Sequence, residues 1–166
     1  TVYVSLEPCA HHGKTPPCAE ALIAAGVARV VTSIEDPDSR VSGRGHAMLR
    51  AAGIVVETGV MAAEAERAQR GFLSRIRAGR PMLTLKLAVS LDGRIATASG
   101  ESQWITGPEA RRMVHALRSR HDAVMIGAGT ARADDPMLTV RDFGQVRQPV
   151  RIVTARTLEI PLDGQL

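Results

Sequence analysis

Short apolar runs alternate with helical segments through the first third of the sequence, and this alternation constrains the fold more than any other feature. The apolar runs cover residues 1–6, 27–34 and 54–57. Helical segments at 18–25 and 46–52 lie between them, and each ends at a glycine, which favours a helix C-cap. Two strand–helix–strand crossovers in succession predict a parallel sheet, and therefore the α/β fold class.

A domain boundary is expected after the third helical segment. This segment covers residues 62–78, and Pro81 prevents the helix from continuing. We therefore divide the chain into residues 1–78 and 79–166. Because the two parts show no internal repeat, we expect them to be different domains.

Apolar periodicity in the second part predicts strands and one long helix. The strands are expected at residues 82–89, 94–97, 123–126 and 150–153. The first is apolar enough to be buried, and the second follows a turn at Asp92 and Gly93. The helix is expected at 107–119, with the Thr106 hydroxyl as its cap.

Composition excludes several classes of protein. The 166 residues are 45% hydrophobic and 23% charged, as in a globular protein, and no apolar run is long enough to span a membrane. Two cysteines are too few for a disulfide scaffold, so a cytoplasmic location is expected. The net charge of +4 suits an anionic ligand, whereas few aromatic residues are present to stack nucleic-acid bases. We expect a small phosphorylated substrate as the partner, and neither nucleic acid nor membrane.

Both cysteines lie in the segment E-P-C-A-H-H-G-K-T-P-P-C, residues 7–18. Cys9 follows a predicted strand, and Cys18 begins a predicted helix whose N-terminus favours a thiolate. Thiolates bind zinc well, so both are candidate metal ligands, with two free cysteines in a packed interior as the alternative. A catalytic zinc needs a third protein ligand, and the H-x-E or C-x-E segment of nucleobase deaminases is absent before Cys9.

Eight residues separate the cysteines, where nucleobase deaminases have two. This long spacing resembles the zinc motif of the bifunctional riboflavin-biosynthesis deaminase/reductase family. The resemblance implies a cytidine-deaminase-like three-layer domain in residues 1–78. It also implies an internal segment of a longer chain, because the family's histidine ligand and proton-transferring glutamate would precede Thr1. The catalytic residues of the deaminase are therefore not identified in this sequence.

The same resemblance assigns pyrimidine-binding roles in the first domain to His11, Lys14, Thr15 and Asp36. These polar side chains suit a heterocycle that carries a ribose phosphate. A solvated pair of loop histidines remains the alternative for His11 and His12. His46, His115 and His121 receive no role, because none has a partner at metal-ligand spacing, and surface or helix polarity is expected for them.

Three motifs of the second part resemble the reductase domain of the same family and occur in the family's order. They are T-L-K-L-A-V-S-L-D-G-R-I-A, S-G-E-S-Q-W-I-T-G-P-E-A and G-A-G-T-A-R-A-D-D-P-M-L-T-V-R. The resemblance implies a dihydrofolate-reductase-like fold with NADPH as cofactor, and both domains are expected to be truncated. No G-x-G-x-x-G segment follows a predicted strand, so the residues do not support a Rossmann site.

Carried over by position, the resemblance implies NADPH contacts at Ala88, Trp104, Thr130 and Asp134. It implies substrate contacts at Lys86, Ser102, Arg118, Leu138 and Arg141. The two arginines also make physical sense, since a guanidinium can hold a phosphate through paired charged hydrogen bonds. A core or edge anchor remains the alternative for Trp104, and a helix cap or a turn remains the alternative for Asp134.

The resemblance implies a function with two steps. The first is zinc-dependent hydrolytic deamination of 2,5-diamino-6-(5-phosphoribosylamino)pyrimidin-4-one, and the second is NADPH-dependent reduction of the ribosyl group to ribityl. Zn²⁺ and NADPH are the expected cofactors, and a homo-oligomer is the expected assembly. Two alternatives remain open: a zinc nucleoside or nucleic-acid deaminase fused to an unrelated domain, and a basic nucleic-acid-associated module.

Overall fold

The computed structural model describes residues 1–160 and 163–166 and divides into two compact units. The N-terminal unit covers Thr1–Leu85, and the C-terminal unit covers Lys86–Leu166. The sequence places the boundary a few residues earlier, after residue 78, and that division stays a prediction. Both units combine helices with parallel strands, so the α/β fold class is confirmed.

The N-terminal unit is built on a three-stranded parallel sheet with a helix after each strand. Its elements are β1 (Val2–Val4), α1 (Cys18–Ala24), β2 (Arg29–Thr32), α2 (Arg44–Ala51), β3 (Val55–Thr58) and α3 (Ala62–Ala78). The strand order is β1-β2-β3, and Val30 of β2 aligns with Val2 on one side and Val56 on the other. The two predicted crossovers are therefore confirmed.

The core of this unit forms around β2, which is the central strand. The main hydrophobic cluster joins β2 to α1 and α2, and its buried members are Ala19, Val30, Leu49 and Ile54. A second cluster joins Ala65 and Leu73 of α3 to Ile34. These clusters fix the carboxyl ends of β1 and β2, where the loops that carry the candidate residues begin, as is typical of ligand sites in parallel sheets.

The described residues of the C-terminal unit form two helices and a two-stranded parallel sheet. Its elements are α4 (Pro108–Ser119), β4 (Ala123–Gly127), α5 (Ala128–Asp134) and β5 (Val150–Thr154). β4 and β5 pair from Ala123 with Val150 to Gly127 with Thr154. The long helix and these two strands are confirmed, whereas the sequence pattern does not predict α5. No helix in the described part of the chain is both long and apolar enough to cross a membrane.

The strands predicted at 82–89 and 94–97 are wrong. Residues 81–107, which we call the irregular segment, contain neither helix nor strand, and Leu85 and Leu91 are 84% and 108% exposed. An apolar run forms a strand only where another strand pairs with it, and none of the described strands pairs with this segment. The turn before Gly93 is confirmed, since the Gly93 amide donates to the Ser90 carbonyl at 2.9 Å.

The predicted Thr106 cap of α4 is also wrong. Gly107 occupies the N-cap position, and no side chain caps this helix. The Thr106 carbonyl instead accepts a hydrogen bond from Arg111 Nη1 at 2.6 Å. Pro108 at the first helical position has no amide proton, so α4 has one free amide fewer for a capping side chain to accept.

Candidate functional site

The two cysteines lie together at the start of α1. Cys9 follows β1, and Cys18 is the first residue of α1. The Cys18 amide donates a hydrogen bond to Cys9 Sγ at 3.2 Å, and the Ala19 amide donates one to the Cys9 carbonyl at 3.2 Å. Both cysteines are free thiols. The loop between them therefore folds back and brings the two candidate metal ligands side by side.

The Cys18 thiol differs from the expectation for a helix N-terminus. The hydrogen bond with Cys9, together with burial, raises the pKa of Cys18. Zinc binding requires both thiols to lose their protons, and the ion itself drives that loss, so the donor pair fits zinc.

His11 lies in the loop between the cysteines and has an unsatisfied nitrogen. Its Nδ1 atom is buried and has no hydrogen-bond partner among the described residues, which is uncommon for a buried polar atom. Lys14 and Thr15 lie further along the same loop and are exposed, as is His12. This loop therefore carries three of the predicted substrate residues. The alternative of solvated loop histidines holds for His12 but not for His11, whose Nδ1 is buried.

Asp36 is buried on the loop that follows β2. Its Oδ1 accepts the amide of Asp38 at 2.9 Å. Asp38 in turn contacts the Arg40 guanidinium at 2.6 Å, and this partner holds the pKa of Asp38 well below its usual range, with a smaller effect from His11. The Asp36 amide donates a hydrogen bond at 3.2 Å to the side chain of Glu7, two residues before Cys9, so the cysteine loop begins beside the Asp36 loop.

Glu7 and His46 are buried polar residues to which the sequence assigns no role. His46 Nε2 lies 2.9 Å from Thr32 Oγ1, and His46 Nδ1 lies 3.8 Å from Glu7 Oε1. The prediction that His46 is a polar surface residue is therefore wrong, because its ring is enclosed between β2 and Glu7. Within residues 1–160 and 163–166, one group of three potential metal ligands is close enough to share an ion, namely Glu7, Glu35 and His46. By the same measure, the cysteine pair has no third ligand in the described residues.

Arg118 on α4 lies beside the loop 139–141, which carries Arg141. Arg118 Nη1 donates a hydrogen bond to the Thr139 carbonyl at 3.1 Å. Burial and the positive charge of Arg141 lower the pKa of Arg118. Leu138, another predicted substrate residue, is buried beside Thr139. Two like charges held near each other favour an anion between them, so we call Arg118 and Arg141 the arginine pair.

His115 lies against this arginine pair and is buried. Its Nδ1 atom is 3.2 Å from the Arg141 amide and 3.2 Å from the Thr139 carbonyl. Burial, Arg118 and Arg141 lower the pKa of His115, in that order of effect. The prediction that His115 is a polar surface residue is therefore wrong as well, because its ring is buried against the loop 139–141. Arg118 follows three residues later on the same face of α4.

Trp104 lies in the irregular segment and is 70% exposed. It is therefore not a core anchor. The Arg111 guanidinium lies over its ring, 4.4 Å from the ring centroid, in a cation–π contact. Thr130 and Asp134 are exposed one turn apart on α5, and Asp134 is the last residue of that helix.

The remaining predicted residues, Lys86, Ala88 and Ser102, all lie in the irregular segment. In the described part of the chain, no hydrogen bond or ion pair joins them to the arginine pair or to α5. The structure thus places Arg118 and the Arg141 backbone around Thr139 and His115, with Leu138 next to Thr139 in the chain. The substrate residues Lys86 and Ser102 and the predicted cofactor residues lie in the irregular segment and on α5.

The C-terminal unit matches a known protein family. A family model described as "RibD C-terminal domain" matches residues 81–166, slightly more than half of the chain. Riboflavin biosynthesis protein RibD of Escherichia coli (strain K12) is 54% identical over 165 residues, which cover 92% of this chain and 45% of that protein. The protein of the same name from Synechocystis sp. is 48% identical over 166 residues, which cover 100% of this chain and 45% of that protein.

Solved structures give the same result over both units. Acinetobacter baumannii RibD, form 1, matches with a TM-score of 0.89 and 46% identity, over 97% of this chain and 47% of that chain. A diaminohydroxyphosphoribosylaminopyrimidine deaminase/5-amino-6-(5-phosphoribosylamino)uracil reductase from Thermotoga maritima matches with a TM-score of 0.85 and 42% identity, over 92% and 43%. This chain spans less than half the length of these relatives. The family model and the relatives agree, and the chain belongs to the RibD family.

Proposed function

We propose that this chain contributes to two active sites of a bifunctional riboflavin-biosynthesis enzyme. The C-terminal unit would serve an NADPH-dependent reductase, and the N-terminal unit a zinc-dependent deaminase. The observation that carries the proposal is the contact of Arg118 with the loop that carries Arg141, beside buried His115 and within the range that matches the RibD C-terminal domain. Because the chain spans 45% of the Escherichia coli relative, both activities are proposed for the full-length protein.

In the proposed reductase, the arginine pair holds the phosphate of the substrate. A phosphate dianion would relieve the repulsion between the two guanidiniums and accept paired hydrogen bonds from them. The Thr139 carbonyl holds Arg118 in place before the substrate binds, which favours productive orientation. Leu138, Ser102 and Lys86 are proposed to contact the rest of the substrate.

The residues proposed to hold NADPH are Ala88, Trp104, Thr130 and Asp134. Their surroundings fit a cofactor, since Trp104 is 70% exposed beside the Arg111 guanidinium, and α5 presents an exposed hydroxyl and carboxylate one turn apart. NADPH would supply the hydride that converts the ribosyl group to ribityl. The residues of the chain would orient the cofactor against the sugar carbon and exclude water.

In the proposed deaminase, Cys9 and Cys18 are two of the three protein ligands of a zinc ion. Zinc would supply Lewis-acid activation for the hydrolysis when bound. We propose that the third ligand and the proton-transferring glutamate belong to the full-length protein outside this chain. The dihydrofolate-reductase-like and cytidine-deaminase-like three-layer architectures are likewise proposed for complete domains.

The pyrimidine of the deaminase substrate is proposed to bind His11, Lys14, Thr15 and Asp36. The unsatisfied Nδ1 of His11 supports this, because a heterocycle offers complementary donors and acceptors. The hydrogen bond from the Asp36 amide to Glu7, two residues before Cys9, supports a site formed by both loops. The phosphorylated pyrimidine is the proposed small-molecule partner, and a homo-oligomer that binds neither nucleic acid nor membrane is the proposed assembly.

A nucleoside or nucleic-acid deaminase fused to an unrelated domain is not favoured. Residues 81–166 match the RibD C-terminal domain, so the second domain is not unrelated. The arginine pair concentrates positive charge at one point, which suits a single phosphate group better than an extended nucleic-acid backbone.

The test of this function uses the full-length protein with NADPH and 5-amino-6-(5-phosphoribosylamino)uracil. We expect NADPH to be oxidised, and we expect much weaker turnover of the dephosphorylated substrate, because the arginine pair then lacks its anion. Turnover that does not depend on the phosphate would contradict the role of the pair. An absence of NADPH oxidation, together with salt-sensitive retention on DNA, would favour the nucleic-acid module instead.

A further inference from the structure

Glu7 connects the end of β1 to the loop that follows β2. Its side chain is completely buried and accepts four backbone hydrogen bonds. The donors are the amides of Asp36 (3.2 Å) and Gly43 (2.9 Å) on Oε2, and of Gly45 (2.8 Å) and His46 (3.2 Å) on Oε1. A carboxylate has about four lone-pair sites, so these four amides, which are distant from Glu7 in sequence, use its full accepting capacity.

Two glycines make this close contact possible. Gly43 is the N-cap residue of α2 and has a φ of 79°, in the left-handed region. A Cβ atom at Gly45 would collide with the carbonyl oxygen of Pro8 and would lie 3.2 Å from Glu7 Oε1. The segment therefore lets α2 begin directly against Glu7 and Pro8. The carboxylate then lies at the N-terminus of α2, where free amides and the helix dipole favour a negative charge.

The arrangement favours a structural carboxylate over a metal ligand. Glu7, Glu35 and His46 are close enough to share an ion. However, all lone-pair sites of Glu7 are occupied by amides, and His46 Nε2 is paired with the Thr32 hydroxyl. Glu35 is exposed and accepts only the Ser42 hydroxyl at 3.3 Å among the described hydrogen bonds.

We propose that Glu7 is a positioning residue of the deaminase site and that its carboxylate holds the Asp36 loop in place beside Cys9. Glu7 precedes Cys9 by two residues, and its Oε2 binds the amide of Asp36. A displaced Glu7 carboxylate therefore shifts the pyrimidine-binding residue relative to the metal ligands. The inference rests on the proposed deaminase function and deepens it, because it names a residue that sets the substrate position without touching the substrate.

The test is Glu7→Gln in the zinc-loaded full-length protein. Glutamine keeps the size of the side chain but turns an NH₂ group toward amide donors. We expect the KM of the diaminopyrimidine to rise about 10- to 100-fold, with little change in kcat. Zinc content and the reductase rate on the deaminated substrate should stay at wild-type values. Glu35→Gln is the matched control, since Glu35 lies in the same cluster but does not bind these amides.

Gly43→Ala gives a second route to the same displacement. It strains the left-handed backbone at one of the amides that bind Glu7. Its control is Gly53→Ala, where φ is 80° just after the other end of α2 and the amide binds the Arg50 carbonyl. A raised KM in Gly43→Ala but not in Gly53→Ala supports the proposal even if Glu7→Gln fails to fold.

Three results would count against the proposal. A wild-type KM in both Glu7→Gln and Gly43→Ala would overturn it and leave the deaminase function intact. Loss of zinc along with the rise in KM would also overturn it, because Glu7 would then support the metal site rather than Asp36. A wild-type protein with neither zinc nor deaminase activity would refute the proposed function, and this inference with it.

Discussion

The two members of the arginine pair differ in their surroundings. Arg118 is half-buried and fixed by the Thr139 carbonyl, whereas the Arg141 side chain is exposed. Charged hydrogen bonds strengthen as water is excluded from around them. Arg118 should therefore contribute more than Arg141 to the binding of the substrate phosphate.

Arg118→Ala should weaken substrate binding by about 1.5 to 3 kcal/mol, the range for a lost hydrogen bond to a charged group. The KM for NADPH should remain near its wild-type value. Steady-state kinetics of the full-length reductase, with each substrate varied in turn, measure both effects. Arg120→Ala, an exposed arginine at the end of α4, is the control and should change neither. Equal losses for substrate and NADPH would contradict the assigned role.

The lowered pKa of His115 makes the stability of the C-terminal unit depend on pH. In the unfolded chain this pKa is near its ordinary value of 6.5, and in the folded chain burial and the arginine pair lower it. Between the two values the unfolded chain binds more protons than the folded chain. Stability should therefore decrease as the pH falls through this window.

Thermal unfolding of the full-length protein at pH about 7.5 and about 5.5 measures this effect, and the midpoint should be lower at the acidic pH. His115→Gln should reduce the difference between the two midpoints. Met113→Gln, on an exposed position of the same helix, should preserve it. If His115→Gln leaves the difference unchanged, His115 is not its source.

Single residues also show where the sequence is informative. The cysteine pair and the arginine pair are predictable, because each lies in a local motif. Glu7 and His46 are not, since the amides that bind Glu7 lie 29 to 39 residues away. His115 shows one weak signal, its spacing of three residues from Arg118 on a predicted helix. That spacing gains meaning only once the 139–141 loop is known to pack there.

At the scale of secondary structure, local signals predict elements that end at glycine or proline. α3 covers 62–78 as predicted, and α1 and α2 agree within two residues at each end. The strands predicted in the irregular segment do not form, because a strand depends on a partner strand and the periodicity of the sequence does not reveal one. α5 is missed because Gly127 at its N-cap and Gly129 in its first turn are typical of a turn rather than a helix.

The packing of α2 on β2 allows a test at this scale. Leu49→Ala removes a fully buried side chain from the main cluster and should lower the free energy of unfolding by about 2 to 5 kcal/mol. Arg50→Ala, the exposed neighbour on the same helix, should change it by less than about 0.5 kcal/mol. Urea unfolding of the full-length protein measures both. Similar losses in the two variants would contradict the packing described for α2.

At the scale of the whole chain, two units carry groups suited to different chemistry. The N-terminal unit brings two thiols and a buried carboxylate to the carboxyl end of its sheet. The C-terminal unit brings two arginines together on a buried histidine. Since the groups lie in separate compact units, changes at one site should leave the chemistry of the other intact.

The most direct measurement is zinc analysis of the full-length protein beside its Cys9→Ser and Cys18→Ser variants. We expect about one zinc ion per wild-type chain. Either variant should lose the zinc and the deamination, while both should continue to oxidise NADPH with the deaminated pyrimidine. Zinc retained in both variants, or reduction lost together with the metal, would contradict this expectation.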